Sequence, residues 1–422
     1  APWPEETEHT GRSLVLRHPA MPNQLPAAWT ASANPDAGGS PGGANTGGIL
    51  EPVPMLFDIG HSPLVPASDQ EVLVHASVAP IAGTTAIDLV YWLDGEEGTV
   101  RTPMKSVAGP VALLQAGERY RGAIPAHPSG TIIGFRIEQV DADGQATVWP
   151  AADQGAYIQF EDAGPDQSLP IYRIVMAESE LTLLRNSGRS NTPFHVTFIA
   201  GNEVRYQMPI RLRGKGDRGR TPHAFRITFP RDAPLGEWER MNLNGYDVIA
   251  EGLSLHFWGL PETGIPTPGS DYVYLVVNGL VDAPETGPRV RVEVANDDFL
   301  DPHFPTGEDG RHGNLYKGNY VSSQEQASFS DYGPDPAAYA DAYQKNNNEE
   351  LGRFEDVIEL CRIFESAADG ELAPALGEMI DLDEWARWFA MSAVVNNTET
   401  NLYNTRGDDF LLYHAPWSGR FL

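Results

Sequence analysis

The hydrophobic pattern of this 422-residue chain changes from a strand period to a helix period after Glu293. Before this point, short runs of alternating apolar residues are separated by turn residues, which is typical of antiparallel strands. After it, apolar residues recur at helical spacing, and the pattern predicts helices over 336–344, 350–367 and 374–396. A β-rich half followed by a helical half favours a multidomain protein, in which an all-β part precedes an α+β domain with two lobes.

Three domains are predicted from the positions of turns and linkers. Residues 1–45 hold one strand-like run, Ser13 to Leu16, and then a linker rich in Gly, Pro, Ala and Asn. Residues 52–161 hold regularly spaced strand-like runs such as EVLVHASVA and AIDLVYWL, which predict an antiparallel β-sandwich. Residues 169–422 carry the change of period and form the predicted α+β domain. Because the chain opens and stops within what reads as folded sequence, we also expect a fragment at both ends.

The charge and the apolar runs of the chain argue against several classes of protein. The chain has 29 basic and 58 acidic residues, a net charge of −29, whereas nucleic acids and anionic membranes need a basic face. No apolar run approaches about 18 residues, so no membrane span is predicted, and no signal peptide is visible in the given chain. The single Cys361 lies in an apolar helical run, DVIELCRIF, which excludes an internal disulfide and favours an inert buried thiol.

One short segment of this acidic chain is strongly basic. Residues 205–231 contain one acidic residue, Asp217, and eight basic residues: Arg205, Arg211, Arg213, Lys215, Arg218, Arg220, Arg226 and Arg231. Arg211 and Arg213 alternate with apolar residues, so both side chains are predicted to leave the same face of a strand. The following RGKGDRGR adds a Gly-rich turn, and Arg suits bidentate contact with phosphate. A phosphate site and a hairpin whose arginines pair with surface carboxylates both remain open.

The segment NNTETNLYNTRGDDFLLY, residues 396–413, gathers amides, hydroxyls and carboxylates between a predicted helix and a predicted buried strand. The residues alone favour a solvated loop in which Asn and Asp cap the end of the helix. The alternative is that these polar groups are collected there for chemistry.

Seven motifs follow one another between residues 170 and 422: IRLRGKGDRGRTPHAFRITFPRD, MNLNGYD, YVYLVVNGL, VEVANDDFLDPHF, GNLYKG, YQKNNNEELGRFEDVIEL and IDLDEWARWFAMSAVVNNTETN…GDDFLLY. In this order they resemble the CotH kinase family of spore-coat proteins, and in particular its secreted forms that carry lamin-tail and immunoglobulin-like modules. Residues 1–45 resemble the closing part of a lamin-tail domain, and residues 52–161 resemble an immunoglobulin-like module.

The resemblance implies a divergent protein-kinase-like fold that binds ATP with a divalent metal, Mg²⁺ or Mn²⁺, and phosphorylates serine or threonine in partner proteins. It also implies a bacterial protein that is secreted or held at the cell surface.

Two residues of the polar segment are given roles by the resemblance. Glu399 falls where the family usually has the catalytic Asp, which accepts the proton of the substrate hydroxyl. Asp409 falls where the family usually has a metal-binding Asn. Both residues depart from the family pattern. Glu is one methylene longer than Asp, which displaces the general base. Asp in place of Asn keeps an oxygen ligand and adds charge. The family's Asp-x-Asp segment would follow Leu422.

Lys317, in GNLYKG, is a further candidate for contact with nucleotide phosphates, as Arg211 and Arg213 are. Glu293, in VRVEVANDDFL, is its candidate ion-pair partner, because kinases pair their phosphate-binding lysine with a carboxylate. The alternative for Lys317 is a hairpin lysine whose stem covers apolar surface.

Three functions are compatible with the sequence. The first is a kinase that acts on a protein substrate. The second is a catalytically inactive protein that binds a component of the cell surface or extracellular matrix. The third is a carbohydrate-processing enzyme with β-sandwich accessories, which would need two carboxylates at a defined separation.

Overall fold

A computed structural model describes the protein over most of the chain. The described residues are 12–19, 21, 23–32, 48–49, 55–79, 84–107, 118–141, 146–150, 155–166, 168–214, 218–246, 248–280, 284–322, 325–368, 370–397 and 408–422. The chain divides into two compact units. One comprises Ala1–Gly245 and Val273–Arg289, and the other comprises Tyr246–Tyr272 and Val290–Leu422.

The first unit begins with a short antiparallel hairpin, formed by β1 (Leu14–Leu16) and β2 (Trp29–Ala31). Apolar residues of this hairpin segment share a small core with residues at the start of the following sandwich. The buried members of that core are Met21, Leu25, Ala28, Met55, Phe57 and Ala79.

A β-sandwich of two antiparallel sheets follows the hairpin. One sheet consists of β3 (Leu56–Ser62), β4 (Val72–Val78), β7 (Lys105–Val107) and β8 (Glu118–Ile124), in the order β3-β4-β8-β7. The other consists of β5 (Thr84–Leu93), β6 (Val100–Pro103), β9 (Ile132–Asp141), β10 (Ala146–Trp149) and β11 (Ala156–Gln159), in the order β10-β9-β5-β6, with β11 also paired to β9. Alternate residues of both sheets face one core, in which Val74, Leu89 and Phe135 are fully buried.

Seven strands after the sandwich close into a barrel. They are β12 (Ile171–Val175), β13 (Phe194–Ala200), β14 (Glu203–Leu212), β15 (Phe225–Thr228), β16 (Arg240–Asn244), β17 (Ser270–Val277) and β18 (Gly287–Glu293). Their order around the barrel is β12-β13-β14-β15-β16-β18-β17, and β12 pairs in parallel with β17. Helix α1 (Glu178–Arg185) adds Leu181 and Leu184 to the barrel core. The β-rich character of this region is as predicted, whereas the sequence did not predict closure into a barrel.

The sandwich and the barrel share side-chain contacts through Tyr206 of β14. Its ring lies edge-on to Phe135 and Trp149 of the sandwich, at centroid distances of 5.6 and 5.4 Å. Its hydroxyl hydrogen-bonds Nδ1 of His61 in β3, and Nε2 of His61 hydrogen-bonds the Leu64 carbonyl at 3.0 Å. A neutral imidazole satisfies both contacts, because Nδ1 accepts from the hydroxyl while Nε2–H donates to the carbonyl.

This exchange of aromatic side chains is reciprocal. Tyr157 of β11, in the sandwich, belongs to the buried core of the barrel. Its backbone N–H also donates to Oγ1 of Thr197 in β13, at 2.8 Å. Each of the two β-structures therefore fills part of the other's core.

We expect His61 to make the protein less stable in mild acid. Burial lowers the pKa of His61 from 6.5 to about 4, so the unfolded chain binds a proton between these values that the folded chain does not. The free energy of unfolding should therefore fall by about 2–3 kcal/mol between pH 7 and pH 4.5 through this residue. Urea unfolding at several pH values would measure it. His61→Gln should be less stable at pH 7 but show a flatter pH dependence, and an unchanged slope in this variant would contradict the assignment.

The second unit contains a four-stranded antiparallel sheet. It consists of β19 (Leu315–Gly318), β22 (Tyr343–Lys345), β23 (Leu411–Ala415) and β24 (Arg420–Phe421), in the order β22-β19-β23-β24. A separate hairpin is formed by β20 (Tyr320–Ser322) and β21 (Glu325–Gln326). The described helices of this unit are α2 (Val248–Trp258), α3 (Asp297–His303), α4 (Glu355–Ser366), α5 (Leu372–Met379) and α6 (Leu382–Val394). Its main core is rich in aromatic residues, with Tyr316, Tyr339 and Tyr343 fully buried.

Within the described part of the chain, the helices are too short or too polar to cross a membrane.

The helix predicted over 336–344 is wrong. The segment begins as a 3-10 turn, Pro336–Ala338, and ends as strand β22. Tyr343 and Lys345 are buried while Gln344 is exposed, so this stretch follows the two-residue period of a strand. Three residues are too few for that period to stand out in the sequence.

The single helix predicted over 374–396 is two helices, α5 and α6. Asp381 lies between them and caps α6, because its side chain accepts a hydrogen bond from the N–H of Glu384 at 3.0 Å. Ser392 is the fully buried residue of α6, and Trp388 packs only partly buried against the core. The helix is therefore half-buried, whereas its apolar spacing predicted a core helix.

Candidate functional site

An ion pair joins two adjacent strands of the second unit. Lys317 lies in β19, and Asp409 precedes Phe410 and β23. The N–H of Asp409 donates to the Gly318 carbonyl at 3.0 Å and the N–H of Gly318 to the Phe410 carbonyl at 2.9 Å, which extends the pairing of the two strands. Nζ of Lys317 lies 3.0 Å from Oδ1 of Asp409, with the side chains 31% and 47% exposed. The pair is therefore accessible to a ligand.

The backbone under Asp409 is held in an unusual conformation. Its φ of +52° lies in the left-handed region, which Asp and Asn tolerate better than other residues with a side chain. The next residue, Phe410, is 7% exposed, and its ring packs so closely on Gly318 that a Cβ there would lie 2.5 Å from it. Glycine at position 318 thus lets the buried ring anchor the backbone that carries the carboxylate.

Asp356, in the first turn of α4, ties this helix to the same two strands. Its carboxylate accepts hydrogen bonds from the Tyr316 hydroxyl at 2.6 Å and the Asn314 amide at 2.8 Å, and it pairs with Nδ1 of His414 at 3.2 Å. Burial opposes ionisation, but the hydrogen bonds from His414, Tyr316 and Asn314 hold the pKa of Asp356 below its ordinary value. Burial also acts to lower the pKa of His414, and the contact with Asp356 outweighs it and raises that pKa.

Lys345 of β22 completes this network from the third strand. It is 4% exposed, and its ammonium group donates to Oδ1 of Asn314 at 3.0 Å. It also lies over the rings of Tyr316 and Phe354, at 5.6 and 5.2 Å from their centroids. The sheet that carries Lys317 is therefore braced by buried polar contacts.

The structure locates the remaining predicted residues of this unit as follows. Oε2 of Glu293 accepts a hydrogen bond from the N–H of Gly269 at 2.9 Å, and Lys317 pairs with Asp409. The predicted pairing of Glu293 with Lys317 stays a prediction. Glu399 lies outside the described residues, so its role as proton acceptor also stays a prediction.

In the first unit, three neighbouring barrel strands carry arginines and amides on their outer side. Ile210 and Leu212 of β14 face the barrel core, so Arg211 between them faces outward. The strand register sets Arg211 opposite Arg226 of β15, and Arg226 opposite Asn242 of β16. Directly opposed residues share a face of the sheet, so these three side chains form one row.

Two further arginines flank this row. Arg213 lies two residues beyond Arg211, and Arg240 two residues before Asn242, so both leave the same side of the sheet. Asn244 follows at the end of β16. We call this set the arginine face, and its members are Arg211, Arg213, Arg226, Arg240, Asn242 and Asn244.

The arginines of this face donate their hydrogen bonds to side-chain amide oxygens and a backbone carbonyl, and not to carboxylates. Nε of Arg226 donates to Oδ1 of Asn242 at 2.9 Å, and Arg213 donates to Oδ1 of Asn244. Nη1 of Arg211 donates to the Leu212 carbonyl at 3.1 Å. Among the described residues, no arginine of this face forms an ion pair with an Asp or Glu.

The like charges on the arginine face are close enough to affect one another. Burial and four neighbouring guanidinium groups, those of Arg211, Arg213, Arg240 and Arg218, lower the pKa of Arg226 to about 9. Arg226 therefore stays charged at neutral pH, at a cost in free energy that an anion would relieve.

The alternative interpretation, in which the arginines pair with surface carboxylates, describes the edges of the basic segment. Arg205 lies 2.7 Å from Oε1 of Glu203, and Arg231 lies 3.3 Å from Oε1 of Glu239. It does not describe the arginine face between them. Residues 215–217 of the Gly-rich turn, including Lys215 and Asp217, lie outside the described residues.

Sequence reasoning selected Arg211 and Arg213 and missed Arg226, Asn242 and Asn244 as members of the same face. A signal was present, because Arg226 alternates with apolar residues in FRITF, and both asparagines alternate with apolar residues in RMNLN. The register between the strands, which brings these positions into one row, has no such signal.

Asp409 carries an accessible carboxylate, a group of the type that can contribute to a magnesium site. No group of three or more His, Cys, Asp or Glu side chains in the described part of the chain is placed to hold a metal. Mg²⁺, however, commonly takes one or two protein carboxylates and completes its coordination with water and phosphate oxygens. An accessible carboxylate beside a lysine fits that kind of site.

Comparison with known proteins places most of the C-terminal half in one family. The family model described as CotH kinase protein matches residues 210–421. No curated protein matches the chain.

Among solved structures, the chain is similar to the type III pullulan hydrolase from Thermococcus kodakarensis, with 16% identity over 25% of this chain and 16% of that chain, and a TM-score of 0.17. It is also similar to the cycloalternan-forming enzyme from Listeria monocytogenes, with 9% identity, 45% and 15% coverage, and a TM-score of 0.20. For the sporulation control protein Spo0M from Bacillus subtilis the identity is 13%, the coverage 45% and 73%, and the TM-score 0.17. The chain spans only a small part of the two enzymes, and at these TM-scores no argument about fold or function rests on them.

Proposed function

Because this chain belongs to the CotH kinase protein family, we propose that it is an atypical protein kinase that binds ATP with Mg²⁺ or Mn²⁺ and phosphorylates serine or threonine in a partner protein. The observation that supports this most directly is the accessible pair formed by Lys317 of β19 and Asp409, which directly precedes Phe410 and β23. Phosphoryl transfer depends on positioning and on charge neutralisation, and a lysine beside a carboxylate supplies one group for phosphate and one for metal.

The roles of Glu399 and Asp409 follow from the family resemblance, and the role of Lys317 is suggested by the chemistry of its side chain. In the second unit, Lys317 would contact phosphate oxygens, with Glu293 as a candidate partner, and Asp409 would hold the metal ion. When bound, that ion neutralises charge on the phosphates. Glu399 would accept the proton of the acceptor hydroxyl.

In the first unit, Arg211 and Arg213 would bind nucleotide phosphate, since their donors are not taken by carboxylates among the described residues. The kinase-like fold with two lobes, which the family resemblance implies, is part of the same proposal.

The N-terminal part of the chain is proposed to carry the kinase to its substrate. The hairpin of β1 and β2 would be the end of a lamin-tail domain, and the sandwich an immunoglobulin-like module. Modules of these kinds suit a bacterial protein that is secreted or held at the cell surface, where the partner would be a protein substrate or a matrix component.

A second candidate function is a catalytically inactive binding protein of the cell surface or extracellular matrix. It is favoured by the two departures from the family pattern, Glu399 for Asp and Asp409 for Asn. The extra methylene of Glu399 would displace a general base by about 1 Å, which is enough to slow a reaction that depends on close positioning.

Calorimetry with ATP and Mg²⁺ tests the binding part of the proposal. We expect measurable binding, and we expect Arg213→Ala to weaken it by about 1–3 kcal/mol, as for loss of a charged hydrogen bond. Arg231→Ala is the matched control, because Arg231 pairs with Glu239 outside the arginine face. Equal affinity in Arg213→Ala and the unmutated protein would remove Arg213 from the site.

Transfer of radiolabelled phosphate from ATP tests the catalytic part. We expect autophosphorylation by the full-length protein and its loss in the same protein carrying Glu399→Gln, which keeps the side-chain size but cannot accept a proton. Binding of ATP without any transfer would favour the inactive binding protein. Full activity in Glu399→Gln would remove this residue from the mechanism.

A further inference from the structure

The arginine face has more hydrogen-bond donors than the protein uses. A guanidinium group carries five N–H donors. Arg226 uses Nε on Asn242, Arg213 uses Nη1 on Asn244, and Arg211 uses Nη1 on a backbone carbonyl. The other terminal donors of these three residues have no acceptor among the described residues, and none of them is a buried unsatisfied atom. They are therefore available to a ligand.

The spacing of the face suits an extended anion. Adjacent strands lie about 4.8 Å apart, and alternate residues of one strand about 6.6–7 Å apart. From Arg211 of β14 to Asn242 of β16 the row thus spans about 10 Å. Arg213 and Arg240 extend the face along the strands on either side of it. Asn242 and Asn244 are only 7% and 5% exposed, so the guanidinium groups of the face are the groups that can contact several phosphates of one chain.

The charges of the face select against metal ions and in favour of polyanions. Four guanidinium groups, those of Arg211, Arg213, Arg226 and Arg240, lie here without a carboxylate partner among the described residues. Such a face repels a free divalent cation. Because the whole chain carries a net charge of −29, this local positive region is also where a polyanion can approach.

We propose that the arginine face binds a polyphosphate chain without a metal ion, and that Arg226 is the central residue of this site. The polyphosphate is either the triphosphate of a nucleotide or inorganic polyphosphate, which share the same chemistry. The site rests on the phosphate assignment made above for Arg211 and Arg213. It goes beyond that assignment because it needs neither metal nor phosphate transfer.

Calorimetric titration in the presence of EDTA tests this site. The probes are orthophosphate, pyrophosphate, tripolyphosphate and ATP. We expect affinity to rise about tenfold with each added phosphate and to fall with added salt. Arg226→Gln should weaken tripolyphosphate binding about 10- to 100-fold, because it removes a charged donor from the centre of the row. The matched control, Arg231→Gln, should bind as the unmutated protein does.

The titration results distinguish a nucleotide from inorganic polyphosphate as the ligand, and they show whether the proposal fails. ATP binding at least about tenfold tighter than tripolyphosphate identifies the nucleotide as the ligand, and equal or weaker ATP binding identifies inorganic polyphosphate. Absence of tripolyphosphate binding in EDTA overturns the proposal, as does equal weakening by the Arg231→Gln control. Should circular dichroism show that Arg226→Gln does not fold, the exposed Arg240→Gln decides, with an expected loss of about fivefold or more. Because no transfer is measured, a protein without kinase activity can still pass this test.

Discussion

Replacing Asp409 by glycine is expected to reduce phosphate transfer at least about 100-fold, while the protein stays as stable as the unmutated one. Glycine adopts the φ of +52° at this position without strain, so the variant removes the carboxylate and little else. The side chain is 47% exposed, and its ion pair with Lys317 contributes little to stability in solvent. The measurement is the rate of radiolabelled phosphate transfer, with the melting temperature as the check on folding.

Asparagine at position 409 is the matched variant for this experiment. It tolerates the same backbone conformation, keeps one oxygen ligand, and is the residue that the family resemblance places there. We expect Asp409→Asn to keep a substantial part of the activity, whereas Lys317→Met, which removes the neighbouring cation, should lose it as Asp409→Gly does. Equal loss in the glycine and asparagine variants would show that the charge of Asp409, and not its oxygen, is required. Full activity in Asp409→Gly would exclude it as a metal ligand.

Replacing Asp356 by alanine is expected to lower the free energy of unfolding of the protein by about 3–5 kcal/mol. The substitution leaves the buried hydroxyl of Tyr316 without its acceptor and removes the ionic partner of His414. It also frees the amide of Asn314, to which Lys345 is bound. Chemical unfolding in urea would measure the loss.

The controls for Asp356 separate charge from position. Asp383→Ala replaces an exposed carboxylate of α6 and should change the stability by no more than about 0.5–1 kcal/mol. Asp356→Asn keeps the size of the side chain, so a loss smaller than that of alanine is expected. If Asp356→Ala were no more destabilising than Asp383→Ala, the network would not brace the sheet.

Features that depend on neighbouring residues in the chain were open to prediction from the sequence. Alternation of arginines with Ile210 and Leu212 correctly placed Arg211 of β14 and Arg213, just beyond its end, on one face of the sheet. Most of the strands before Glu293 were also predicted from local patterns, although helices α1 and α2 of the same stretch were not, and the CotH family was identified from the order of seven motifs. For the strands, the physical signal is contained in a few consecutive residues, because strand periodicity and turn chemistry are local.

Features that depend on strand register and on contacts between distant residues could not be predicted from the sequence. Closure of the barrel requires β12 to pair in parallel with β17, and the sequence of neither strand indicates which strand it pairs with. The network around Asp356 joins residues that are distant in the sequence, from residues 314–316 around the start of β19 to His414 of β23. The row formed by Arg226 and Asn242 likewise exists only through strand pairing.

Because the sandwich and the barrel exchange tyrosine side chains, the sandwich cannot be removed without disturbing the core of the barrel. A chain truncated to begin at residue 168 would lose Tyr157 from the barrel core and leave a cavity there. It would also expose the ring of Tyr206, which packs on Phe135 and Trp149 in the intact protein. Such a truncated chain would aggregate through that aromatic surface. If related proteins exchanged their N-terminal modules, the residue at position 206 of the barrel would therefore have to change as well, because its side chain packs into the sandwich.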